Sequence, residues 1–221
     1  SVLKQTHKNW ELIFWDNKST DKSKEIFTSY KEKRFKYFLA TKHTKLYEAR
    51  NLAIKETKGE FIAFLDVDDR WTDNKLEKQL TYFKNSNVGL VYGNCWIVDE
   101  RKNKKKIYKY KKNNLPTGNI FYKLLDEYVI SLPTILVRKK IFENNLNLFD
   151  ENYHIIGDFD FCIKISLEWQ IACHQSPIAF SRIHDSNESI INYDLQTSEF
   201  EKWIKIAHVK NYIPKNQFVK L

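Results

Sequence analysis

Methionine is absent from the 221 residues, and cysteine occurs only three times. With no methionine, the first residue is not a native initiator, and the sequence reads as a fragment of a longer chain. Cys95, Cys162 and Cys173 are odd in number and lack metal-ligand spacing. They read as interior thiols of a reducing compartment, which excludes a disulfide scaffold. Long apolar runs are missing too. None approaches a bilayer span, and no signal peptide is visible. The expected location is cytoplasmic, soluble or peripheral at the inner face of the membrane. Internal repeats and low-complexity linkers are also lacking, so one domain over residues 1–221 is expected. Hydrophobic residues at 42% and aromatics at 15% then supply enough apolar surface for a real core.

Acid is scarce in one place. The formal charge is +9, and residues 101–112 hold eight basic side chains and no carboxylate. Such a run is either a solvated loop or a patch for an anionic surface. No nucleic-acid-binding module accompanies it, so a nucleic acid partner is not expected. Anionic membrane is the better functional match.

The chemistry concentrates at Phe61-Ile62-Ala63-Phe64-Leu65, which runs into Asp66, Asp68 and Asp69. An unbroken apolar run bounded by Gly59 and by charge predicts a strand buried on both faces, as in a parallel sheet between helices. Ligands of such sheets gather beyond the carboxyl ends of the strands. Three crowded carboxylates repel unless a cation sits among them. In an extended end Asp66 and Asp68 point the same way, and paired hard oxygens suit Mg²⁺ or Mn²⁺. Read alone, the triplet is equally a solvated turn that caps the next helix.

Around this stretch the periodicity alternates. Residues 11–15 form another apolar strand ending at Asp16, and Ser19, Thr20 and Asp21 open a helix with Ile26, Phe27 and Tyr30 as its stripe. Residues 35–39 read as a strand, and 47–57 as a helix with Ala49, Leu52 and Ala53 inward. After the acids, Asp73 caps a helix to about residue 85. Strands follow at 88–92, 134–137, 171–174 and 179–183. Helices follow near 120–125 and from Asp158. Phe200, Trp203, Ile204 and Ala207 mark an amphipathic terminal helix over 195–210. Strands alternating with helices predict an α/β domain with a mainly parallel sheet.

Residues 10–21, Ala49-Arg50-Asn51, residues 59–71 and Lys75-Leu76-Glu77-Lys78-Gln79, in this order and spacing, resemble the family 2 glycosyltransferases of the GT-A fold. The resemblance continues through Phe149-Asp150-Glu151, Gly157-Asp158-Phe159-Asp160 and Arg182-Ile183-His184, spanning almost the whole chain. It implies a mainly parallel central sheet flanked by helices. The implied chemistry moves a sugar, with inversion, from a nucleotide-diphosphate donor such as a UDP-sugar. The acceptor is a hydroxyl of a saccharide or lipid-linked molecule, as in cell-surface polysaccharide synthesis.

The resemblance also assigns residues. Asp16 would hydrogen-bond the nucleotide base, Lys45 would lie near the donor phosphates, and Arg50 would steady either the acidic strand end or a phosphate. Asp66 would stand near ribose and metal, Asp68 would be the metal ligand proper, and His184 would complete a Mn²⁺ or Mg²⁺ site. Asp158 would be the base that takes the acceptor's proton; without the resemblance it is an ordinary helix cap. Residues 1–98 become a donor-binding half, 99–193 an acceptor and catalytic half, and 194–221 a terminal helix and tail.

Two departures stand out. Many relatives have Glu-Asp where this chain has Gly157-Asp158. Family members also open with an apolar strand before the point where this chain begins, and its loss would expose two sheet edges. Two other functions therefore stay open: a catalytically impaired glycosyltransferase-like fragment, or an anionic-surface binding module using residues 101–112.

Overall fold

A computed structural model describes residues 1–102, 105–108, 114–143 and 148–213. Half of the basic run at 101–112 (residues 103, 104 and 109–112) lies outside these residues. Strand β1 (Leu12–Asp16) pairs in parallel with β2 (Phe35–Leu39), from Leu12 beside Phe35 to Asp16 beside Leu39. Helix α1 (Ser23–Ser29) connects them. Only Phe27 of its expected stripe packs inward, stacking on Phe14 at 4.6 Å and Phe35 at 5.3 Å. Ile26 is 60% exposed and Tyr30 52%. The reason is width: a two-stranded sheet offers one helix little more than a single column of side chains.

The larger sheet has β3 (Phe61–Ala63), β7 (Leu136–Arg138), β5 (Val88–Asp99), β8 (Gln170–Ile183) and β4 (Arg70–Trp71) side by side, with β6 (Lys105–Tyr108) paired to β5. The β5–β8 and β1–β2 ladders are long and parallel; the other four are short and antiparallel. The expected strands 171–174 and 179–183 are one strand. Its register shifts where Pro177 pairs Asn94, since proline has no N–H to give the ladder. At that bulge a Cβ on Gly93 would come within 2.6 Å of Ile178 Cδ1, so glycine lets the chains approach.

The run 61–65 departs from expectation. Only residues 61–63 are strand, and of these only Ile62 is buried. β3 pairs with β7 alone among the described residues, and β1 with β2 alone, so each has one edge without a strand neighbour there. An edge strand is covered less than an inner one, hence its partial burial.

The remaining helices are α2 (Leu46–Lys55), α3 (Lys75–Leu80), α4 (Phe121–Asp126), α5 (Gly157–Glu168), α6 (Glu188–Ile191) and α7 (Tyr193–Val209). In α2 the buried residues are Tyr47, Ala49, Asn51 and Ile54 rather than the expected Leu52 and Ala53. The main core centres on Phe149 and Phe161, stacked at 4.2 Å, with Phe64 edge-on to both. Trp203 and Ala207 of α7 reach the same core, with Phe200 and Ile204 packed beside them. All three cysteines are buried thiols, none of them in a disulfide. Among the described residues no helix is long and apolar enough to cross a membrane.

Helix α3 carries two buried polar side chains. Gln79 Nε2 donates to the carbonyls of Val91 (2.9 Å) and Thr134 (2.7 Å), and Lys75 Nζ donates to that of Ile135 (3.1 Å). They fix the turn Leu132–Thr134, where Pro133 cannot join a ladder. Lys75 is fully buried, its amine 4.4 Å from the centre of the Trp71 ring. Burial pushes its pKa well below the ordinary value. The unfolded chain, with a lysine pKa of about 10.4, then binds the extra proton between the two values. Stability therefore rises with pH across that window, by at most about 1.4 kcal/mol per unit. Lys75→Met keeps the stem and removes the titration, so it flattens the rise between pH 8 and 10. Urea unfolding at several pH values measures the slope; an unchanged slope means the folded amine is charged.

Candidate active site

Beyond β3 the chain turns instead of staying extended, with Asp69 N–H donating to the Asp66 carbonyl at 3.0 Å. The three carboxylates meet different partners. Arg50 Nη2 donates to Asp66 Oδ1 at 2.8 Å. His184 Nε2 lies 3.1 Å from Asp68 Oδ2, and Asp69 Oδ1 accepts the Arg182 N–H at 2.9 Å. Both partners of the second pair of contacts belong to β8 or the turn after it. Asn187 Oδ1 accepts the His184 N–H at 2.7 Å and holds that turn.

Arg50 links Asp66 to the next acid. Its side chain is 12% exposed and lies 5.4 Å from the Tyr47 ring centre and 5.9 Å from that of Phe149. Burial works against the charge, yet Asp66 and Asp158 outweigh it and hold the pKa above its ordinary value. Asn51 serves the fold: its amide bonds both the C=O and the N–H of Phe149, and its Nδ2 donates to Glu151 at 3.0 Å. One residue of the Arg-Asn pair faces the acids. The other ties α2 to the segment that leads into α5.

Asp158 lies in the first turn of α5, half-buried. It does not cap the helix, because Ile156 holds that position. Its Oδ1 accepts the N–H of Phe159 at 2.9 Å, and the helix dipole favours the anion there. Gly157 has a spatial cause: an added Cβ would sit 2.5 Å from Tyr47 Cε2, so the Tyr47 ring takes the room another side chain would need. Asp160 points into the core, paired with Lys164 at 2.6 Å and accepting from Trp203 Nε1 at 3.0 Å.

Asp16 ends β1 and is buried. Tyr37 O–H donates to its Oδ2 at 2.5 Å and Ser19 N–H to its Oδ1 at 2.7 Å. Burial raises its pKa, but these bonds prevail and the carboxyl is held low, while Tyr37 is pushed up to about 12. Asn17 bonds Thr44 through both amide atoms, joining the loop after β1 to the start of α2. Lys45 sits there, exposed, at the N-cap of α2.

The structure therefore brings Asp66, Arg50 and Asp158 together and, beside them, Asp68 and His184. Asp16 and Lys45 belong to the β1–β2 layer. Of the expected metal residues, Asp68 and His184 meet, and Asp66 bonds Arg50. No group of three or more metal-ligating side chains exists among the described residues.

The family model of glycosyl transferase family 2 matches residues 1–146. The chain belongs to glycosyl transferase family 2. It is 33% identical over 193 residues to an "Uncharacterized glycosyltransferase" of Rickettsia bellii, covering 87% of this chain and 27% of that one. Over 100 residues it is 42% identical to the Escherichia coli WfgD, named a UDP-Glc:alpha-D-GlcNAc-diphosphoundecaprenol beta-1,3-glucosyltransferase; the match covers 45% of this chain and 39% of WfgD. The chain thus spans about a quarter of one relative and well under half of the other. Staphylococcus aureus TarS, solved with UDP-GlcNAc, superposes with a TM-score of 0.69 at 20% identity, over 84% of this chain and 54% of that one. That likeness concerns the fold, which is the GT-A type.

Three residues that hold members of the candidate site escaped sequence reading as such: Tyr37, Tyr47 and Asn187. Tyr37 and Tyr47 act through partners far along the chain, Asp16 and the Ile155 carbonyl, where local pattern carries no signal; Asn187 acts on His184 three residues away. The Asp68–His184 pair offers one hard oxygen and one imidazole to a cation. Divalent metals at diphosphate sites often take one or two protein ligands and the rest from phosphate and water, so two donors fit that mode.

Arg50 is the electrostatic centre of this group. Arg50→Met should destabilise the fold by about 1–3 kcal/mol in urea unfolding, below the ~3–5 of a fully buried pair because Asp66 is partly exposed. A change under about 0.5 kcal/mol would show that water already neutralises these acids.

Proposed function

We propose that this chain carries the catalytic site of an inverting glycosyltransferase. A sugar moves from a nucleotide-diphosphate donor, a UDP-sugar, to a hydroxyl of a saccharide or lipid-linked acceptor. The process served is cell-surface polysaccharide synthesis. The observation that carries this reading is the bond from buried Arg50 to Asp66, within the electrostatic reach of Asp158, with Asp68 meeting His184 alongside. Residues 1–98 would bind donor and 99–193 acceptor. The names of WfgD and TarS support a UDP-sugar, and that of WfgD supports a lipid diphosphate acceptor.

In the proposed reaction the acceptor oxygen attacks the anomeric carbon as the bond to the donor's phosphate oxygen breaks. UDP departs, and Asp158 takes the hydroxyl proton. A positioned base of this kind contributes about 10²- to 10⁴-fold. Asp158 stands in the first turn of α5, where the helix dipole favours the anion that would take that proton. Asp16, fixed by Tyr37 and Ser19, would present its carboxylate to the nucleotide base, and Lys45 and Arg50 would face the phosphates. A divalent ion held by Asp68 and His184, with Asp66 near it, would neutralise charge on the diphosphate. Imidazole favours Mn²⁺ over Mg²⁺ for that place. Contact with an anionic membrane through residues 101–112 would keep the enzyme near a lipid-linked acceptor.

A panel of nucleotide sugars with Mn²⁺, read by thermal stabilisation and UDP release, tests the assignment. UDP-glucose or UDP-GlcNAc should stabilise the protein and release UDP. Asp158→Asn should lower turnover at least about 100-fold while UDP binding survives. Indifference to every nucleotide sugar, or full turnover in Asp158→Asn, would sink the proposal.

A further inference from the structure

Glutamate 199 is a buried carboxylate in a helix whose other inward residues are apolar or aromatic. It lies beyond residues 1–146, the span that matches the family. Its oxygens accept three successive backbone N–H groups just ahead of α5: His154 at 2.6 Å, Ile155 at 2.9 Å and Ile156 at 3.1 Å. Three charge-assisted bonds from one carboxylate fix a backbone firmly. The same segment is gripped from the opposite side by Tyr47, whose O–H donates to the Ile155 carbonyl at 2.7 Å. Ile155 thus has its N–H held by α7 and its C=O held by α2. Asp158 follows three residues later. A second tie, from Trp203 to Asp160, joins α7 to the first turn of α5.

We propose that Glu199 is a positioning residue for Asp158, setting the start of α5 so that the carboxylate meets the acceptor hydroxyl. This rests on the reading of Asp158 as the base. The carboxylate touches neither donor nor acceptor; it acts through the backbone of residues 154–156. Burying a carboxylate carries a large desolvation cost, which these three N–H donors offset. Ala or Leu would suffice at this place for helix packing alone.

The test compares Glu199→Ala, Glu199→Gln and Asp158→Asn in the full chain. Readouts are UDP release from UDP-glucose and UDP-GlcNAc with Mn²⁺, UDP affinity, and amide hydrogen exchange of residues 154–160. Misplacing a catalytic group by about 1 Å can cost 100-fold. Glu199→Ala should therefore lower kcat roughly 10- to 100-fold, leave UDP affinity within about 2-fold, and speed exchange at residues 154–156. Glu199→Gln keeps one acceptor oxygen and should fall between Ala and the parent; it also serves if the Ala variant fails to fold. A purely structural role would lower stability with kcat per folded molecule unchanged, which overturns the proposal, as does unaltered exchange. Turnover lost in Asp158→Asn but intact in both Glu199 variants overturns positioning alone. Turnover intact in Asp158→Asn overturns the base reading and this role with it.

Discussion

The site depends on a buried positive charge among acids. Arg50 is largely removed from water, and its charge persists there because Asp66 and Asp158 supply the compensating field. The dependence is mutual. Without a guanidinium here, Asp66 would lose the partner that its carboxylate bonds at 2.8 Å. Because Arg50 projects from α2, that helix sets where the two acids meet. Its neighbour Asn51 makes the arrangement rigid by holding Phe149 at both backbone atoms.

A second constraint acts on the backbone before α5. Tyr47 occupies the space beside Gly157 and bonds Ile155, while Glu199 collects three N–H groups from the far side. The absence of a side chain at position 157 thus follows from a ring on another helix. Where many relatives have Glu-Asp, this chain combines a glycine with a tyrosine, and the aspartate stays in the first turn with its carboxylate half-buried. The departure is accommodated by packing.

Much of the architecture was legible in the chain. Residues 11–15 and 35–39 read as strands, and the strands Leu12–Asp16 and Phe35–Leu39 pair in parallel. The apolar stripe of α7 is as its spacing predicts. Other expectations failed for identifiable reasons. The run 61–65 reads as an inner strand because apolar letters do not tell which neighbours a strand has; at an edge beside β7 it is shorter and half-covered. The α1 stripe is narrower than its periodicity because the sheet beneath has two strands. Pro177 splits residues 171–183 in the sequence pattern, yet a bulge absorbs it within one strand.

By itself the sequence determined the alternation of strands and helices, the order of the motifs and the acids at the end of β3. These are properties of neighbouring residues: periodicity, turn chemistry and spacing are written locally. The tertiary structure decided which acid meets which cation. Asp66 turns to Arg50 and Asp68 to His184. It also decided that Asp158 is no cap and that Glu199 grips the backbone before it. Such pairings depend on what fills the space around a buried charge, and in a folded chain the groups filling it come from distant positions.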